Sequence, residues 1–202
     1  RPAAGRPATR PPPTRADSQG ALLAAIADGL TAACKQWRHR IQVARRGARD
    51  SATARGLLDS GVRYSLEGRA IAAVVDDLIP ETARLVEQVL QGASAASDLP
   101  STDQLLLVVK TPIRALIDGE TADLLDSPKR RGMASSINQG AIRAAIAGIE
   151  PALAILRPQV TTLLRNRQAQ LVQAQAVIDA AKPVAKSETP FQRVLRWINV
   201  AR

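Results

Sequence analysis

Residues 20–46, GALLAAIADGLTAACKQWRHRIQVARR, decide the fold class. Leu23, Ile26, Leu30, Ala33, Trp37, Ile41 and Ala44 follow one another at steps of 3, 4, 3, 4, 4 and 3. Steps that alternate in this way stay on one side of an α-helix, which predicts a single apolar stripe along about seven turns. Lys35, Arg38, His39, Arg40, Arg45, Arg46 and Arg49 occupy the C-terminal half, where cations complement the carbonyl end of the helix dipole. Gly47 is expected to fray the end.

On the N-terminal side, residues 1–19 hold five of the thirteen prolines and four arginines, with no large apolar side chain. Proline fixes φ and lacks the N–H, so this stretch reads as an extended arm and the helical bundle as starting at Gly20. The arm is Arg-rich, poor in acids and starts at Arg1, like the processed end of an organelle transit peptide. An organellar setting, and an arm held against a partner, are the expectations.

On the C-terminal side, Asp50 or Ser51 can cap a second helix. Leu58, Val62, Leu66, Ala70, Val74 and Leu78 recur every four residues, with Ile71 and Val75 widening the face. Pro80 is expected to kink that helix or open a new one. The stretch GASAASDLP, residues 92–100, is a loop by composition. Ser101 and Gln104 have capping-box spacing. The run Leu105–Val109 is apolar all round and reads as deeply buried, with a short strand as the other reading. Thr111-Pro112 and Ser127-Pro128 are expected to restart helices. Ile137, Ala141, Ala144 and Gly148, with Ile142, Ile146 and Ile149, form a face whose small residues permit close helix approach. Leu156, Val160, Leu163, Arg167, Leu171, Ala174, Ile178 and Ala181 repeat at close to the coiled-coil period, with one arginine in the seam.

The expected architecture is therefore all-α. It is a bundle of four or five Pro-kinked helices over 20–182, between the arm of 1–19 and a C-terminal appendage of 183–202. With only four aromatic residues in 202 (Trp37, Tyr64, Phe191 and Trp197), alanine must fill positions that aromatics usually take, so the helices should pack closely.

Composition excludes much chemistry. A single cysteine, Cys34, rules out an internal disulfide and a cysteine-based zinc cluster, and it reads as a small buried hydrophobe. A single histidine, His39, rules out paired Glu-x-x-His di-iron ligation. It sits between Arg38 and Arg40 and reads as part of a solvated basic face. No phosphate-binding glycine motif occurs, and the adjacent Asp76 and Asp77 point in different directions on a helix. No catalytic residue, cofactor or metal is therefore expected, and no run approaches the length of a membrane span.

Charge is the stronger signal. The net +10 divides into +8 over residues 1–55, −7 over 56–127 and +9 over 128–202. Lys35, Arg38, Arg40, Arg45, Arg46 and Arg49, with Lys129, Arg130 and Arg131, form a candidate basic surface for phosphates. No aromatics interleave them, which disfavours stacking on single strands. The competing reading is internal: the acidic middle lies against the basic ends and neutralises them.

The last residues hold half the aromatics. Thr189, Pro190 and Gln192 can cap a short helix whose Phe191, Val194, Leu195 and Ile198 share a face. Trp197 borders that face, and Arg193 and Arg196 lie opposite. A cationic amphipathic helix of this kind docks in a protein groove or at a membrane surface. A Pro-rich N-terminus before a basic helical bundle resembles, in layout, the extrinsic Q subunit of photosystem II. It resembles supernumerary subunits of respiratory complexes and organellar ribosomes equally. The expectation is a non-catalytic accessory subunit that docks onto a larger multi-subunit complex, with peripheral membrane contact. Nucleic-acid binding, as in a ribosomal, nucleoid or packaging component, is the alternative.

Overall fold

The computed structural model describes residues 14–57, 60–130 and 136–181. About 90% of this is helical, and no strand occurs among the described residues. Four long helices, α1 (Arg15–Ala54), α2 (Gly61–Leu90), α3 (Thr102–Arg130) and α6 (Leu156–Ala181), are joined by the shorter α4 (Ser136–Ile146) and α5 (Ile149–Ala154).

Helix α1 begins five residues before Gly20 because of a local cap. The Thr14 hydroxyl accepts from the Asp17 N–H, while the Asp17 carboxylate accepts from the Thr14 N–H at 2.9 Å. That reciprocal box outweighs the prolines just before it. The helix also runs through Gly47, and through the proposed caps Asp50 and Ser51, to Ala54. It ends where Gly56 takes φ +69°, a left-handed conformation that suits a residue without Cβ.

The prolines do not divide the helices as expected. Pro80 lies inside α2, and Pro112 and Pro128 lie inside α3, each of which continues as one element. Pro80 is exposed, so the backbone hydrogen bond it forfeits is on the wet side, where water substitutes. The capping box at α3 forms as read: Ser101 N–H donates to the Gln104 side chain at 3.0 Å, and Gln104 N–H donates to the Ser101 hydroxyl at 3.3 Å. The run that follows is helical and one-sided. Leu105, Leu106 and Val109 are buried, whereas Leu107 is 69% exposed.

Helix α2 is the central element, packed against α1, α3, α4, α5 and α6. Ile26, Leu30 and Ile41 of α1 meet Ile71, Val75 and Leu78 of α2, and Leu105, Ile113 and Leu124 of α3, in one core. Each such burial stabilises by about 1.5–3 kcal/mol. Small residues do bring helices together, though at Gly68 and Ala145. A Cβ on Gly68 would stand 2.7 Å from the Ala145 Cβ, so α2 and α4 are in direct backbone-range contact there. Ala144 and Gly148, from the expected close face, are exposed.

Within residues 138–181 one eighteen-residue window reaches a mean hydropathy of 1.2. The helix is interrupted at 147–148 and at 155, and Ile142, Ile149, Leu153, Leu156, Val160 and Leu164 are buried in the core. Only 22% of that window is buried inside the bundle, and by length and composition the segment is apolar enough to cross a membrane.

Candidate functional site

The ionic centre of the molecule lies where α1 crosses α2 and α3. Arg63 and Glu67, one turn apart on α2, are both fully buried. The Glu67 carboxylate accepts from Arg63 Nε at 2.9 Å and from Arg49 Nη2 at 3.1 Å, and Arg45 Nε stands 3.5 Å away. Arg45 reaches on to α3, donating to Glu120 at 3.0 Å and to Asp123 at 2.9 Å. The Arg63 guanidinium also sits 5.1 Å from the Tyr64 ring centroid, within cation–π range. Burial pushes the Glu67 carboxyl up, but the hydrogen bonds from Arg49 and Arg63, with their charges, outweigh it and hold the group below the usual range.

A second ionic contact joins α1 to α2 four turns further on. Trp37 Nε1 donates to Glu81 at 2.7 Å, and Arg40 donates to Glu81 at 2.6 Å and to Asp77 at 3.0 Å. Desolvation raises the Glu81 carboxyl, yet the Trp37 and Arg40 hydrogen bonds bring it below its ordinary value. Carboxylates held ionised by arginines are weak bases, so both clusters suit clamping of helices better than proton transfer.

This arrangement redistributes the basic residues singled out in the sequence. Arg45 is 6% exposed and is not a surface group. Arg40 and Arg49 are half-buried ion-pair partners, and Arg38 lies 3.8 Å from Glu120. Lys35, His39 and Arg46 are exposed. Lys129 and Arg130 end α3, with their side chains outside the description, and Arg131 lies outside the described residues. A polar pocket of about 380 Å³ lined by Gln42, Arg45, Arg46, Arg49, Glu120 and Asp123 opens between α1 and α3. Of its arginines, Arg45 and Arg49 already pair with carboxylates. Cys34 borders a neighbouring pocket with Lys35 and Arg38 and is half-buried. Burial raises its thiol, against a smaller pull from Arg38. No group of three potential metal ligands occurs among the described residues.

Arg167, the apparent interruption in the α6 seam, is a cap for another helix. Its Nε donates to the Leu90 carbonyl at 3.1 Å, and its Nη2 donates to the Gln91 and Ala93 carbonyls at 2.8 Å each. These are carbonyls at and just beyond the C-terminus of α2, which lacks a basic residue of its own in its last turn. Leu171 still packs against the core. Beyond it every residue to Ala181 is exposed, with Val172 at 56%, Val177 at 64% and Ile178 at 54%. The candidate docking residues Phe191, Arg193, Val194, Leu195, Arg196, Trp197 and Ile198 lie outside the described residues.

Comparison with protein-family models, with curated proteins and with solved structures finds no match to this chain.

Proposed function

We propose that the protein is a non-catalytic accessory subunit that fastens onto a larger protein assembly through the end of α6 and the amphipathic stretch that follows it. One observation carries this reading: α6 outruns its own bundle, leaving Val177 and Ile178 more than half exposed on a helix otherwise anchored by Leu164, Arg167 and Leu171. A helix face that no other described residue covers suits recognition by another protein.

Nucleic-acid binding ranks second because the α1 arginines that would contact phosphates are largely engaged with Glu67, Asp77, Glu81, Glu120 and Asp123. The size of the complex in a native extract tests the proposal. Val177→Asp with Ile178→Asp should release the protein from a high-mass complex, while Lys35→Glu with Arg46→Glu leaves it there. A salt series on the purified protein tests the rival. Tight binding to duplex DNA or RNA, with affinity falling steeply as salt rises, would overturn the docking reading.

A further inference from the structure

We propose that the recess between α1 and α3 is a binding site for a small phosphomonoester. Gln42, Arg45, Arg46 and Arg49 line it from α1, and Glu120 and Asp123 line it from α3. Positions 42, 45, 46 and 49 fall within an arc of about 100° on a helix. One face of α1 therefore brings three guanidiniums and an amide to a single space.

Charge selects an anion. Arg49 stands three residues from Arg46 and four from Arg45, spacings at which like charges on a helix repel. The nearby acids do not cancel them. Glu120 and Asp123 are held by Arg45, with Arg38 3.8 Å from Glu120 as well, and the buried Glu67 is shared among Arg45, Arg49 and Arg63. Counting Asp50, whose charge also acts on Arg49, five arginines stand with four carboxylates among the described residues. The excess cation is Arg46, which is exposed and whose side chain makes no hydrogen bond or ion pair among the described residues.

Donors and volume select the ester. Arg49 donates to Glu67 through Nε and Nη2, which leaves Nη1, and Arg46 keeps its whole guanidinium fork. Two guanidiniums one turn apart, with the Gln42 amide beside them, can meet separate oxygens of a tetrahedral dianion, whereas a carboxylate offers two oxygens in one plane. The space of about 380 Å³ exceeds what a bare phosphate fills and falls at the lower end of ligand pockets. Glu120 and Asp123, acceptors on the α3 wall, suit hydroxyls on the carbon part of the ester.

Titration of the purified full-length protein with glycerol phosphate at fixed ionic strength, followed through the arginine side-chain N–H resonances by NMR, tests the site. The Arg46 and Arg49 resonances should move and saturate. Arg46→Gln, which breaks no contact of the fold, should weaken binding at least about tenfold. Asp123→Asn, which removes a competing negative charge, should tighten it. Lys35→Gln, exposed on the same helix but about 16 Å along it from Arg46, should change affinity less than about twofold. Absence of a saturable shift would overturn the proposal. Equal weakening by Lys35→Gln and Arg46→Gln would overturn it too, by assigning the effect to diffuse surface charge. Acetate binding as tightly as glycerol phosphate would overturn the choice of phosphate, and inorganic phosphate binding as tightly would overturn the choice of an ester. The protein is titrated alone, so neither outcome bears on the docking reading, and the size of the complex does not bear on this site.

Discussion

Replacing Glu67 by Gln tests whether the buried arginine cluster holds the bundle together. The substitution keeps the side-chain shape, removes one negative charge and turns one acceptor oxygen into a donor. Three arginines feel it unequally. Arg49 is 39% exposed and can turn to water, and Arg45 keeps Glu120 and Asp123. Arg63 is fully buried and loses the carboxylate to which its Nε donates at 2.9 Å. Breaking a buried pair by removing one partner costs about 3–5 kcal/mol. The retained Gln oxygen and the Tyr64 ring recover part, which places the expected loss at about 3 kcal/mol. For a domain of this size that lowers Tm by about 6–12 °C.

Urea unfolding followed by far-UV circular dichroism measures the loss directly. A change below about 1 kcal/mol would refute the reasoning, because it would mean that Arg63 does not depend on this carboxylate. Two further outcomes follow from the same physics. Replacing Arg63 and Glu67 together by Met should cost less than Glu67→Gln alone, since well-packed apolar side chains remove the charge as well as its partner. The pH dependence also has a definite sign. Glu67 titrates below its unfolded value, so its contribution is present above about pH 4.5 and is lost as pH falls through the folded pKa. The native protein should therefore lose stability there more steeply than the Gln variant, and the gap between them should close.

The remaining expectations are simpler. Gly68→Ala places a Cβ 2.7 Å from that of Ala145 and should destabilise by about 1–3 kcal/mol in the same urea assay, with the larger Gly68→Val worse. Arg167→Ala removes donors from the carbonyls of Leu90, Gln91 and Ala93. It should cost about 1–3 kcal/mol and speed amide exchange in residues 91–99, and Lys at 167 should restore only part because it lacks the planar fork. The Cys34 thiol, raised by burial, should react with iodoacetamide more slowly than a free cysteine at neutral pH and at the free rate in denaturant.

How much of this was legible in the sequence depends on how each stripe was spaced. On α1 the steps of 3 and 4 kept the apolar face in register, and Ile26, Leu30, Trp37 and Ile41 are buried as that face requires. On α2 the chosen residues recur every four. A helix turns once in 3.6, so a strict four-residue series drifts about 40° per step and leaves the core. Val62 is accordingly 50% exposed, whereas Val74 and Leu78 of that series and the flanking Ile71 and Val75 are buried, and the face also takes in Tyr64, Gly68 and Val86. Arg63 and Glu67 belong to no apolar series, because both are charged, yet both are fully buried. Their i, i+4 spacing was the available signal. The cap at Thr14 and Asp17 is also legible in its i, i+3 spacing, although three prolines stand directly before it.

The packing supports the internal reading of the charge pattern for part of α1: Arg40, Arg45 and Arg49 pair with five acids of α2 and α3, of which Glu67 and Glu120 are buried while Asp77, Glu81 and Asp123 stay at the surface. What remains is unevenly placed. Residues 1–13 carry +3 and residues 182–202 carry +4, so residues 14–181 account for only +3 of the total +10. A nearly balanced bundle exerts little long-range pull on a polyanion, whereas two cationic termini act locally and within about a Debye length of whatever they touch. Salt dependence of any association should therefore follow the terminal segments and not the α1 face. The end of α6, which delivers the second of these segments, is also where the apolar surface is left uncovered. Charge and hydrophobic exposure thus converge on one end of the chain, which is the arrangement a docking element requires.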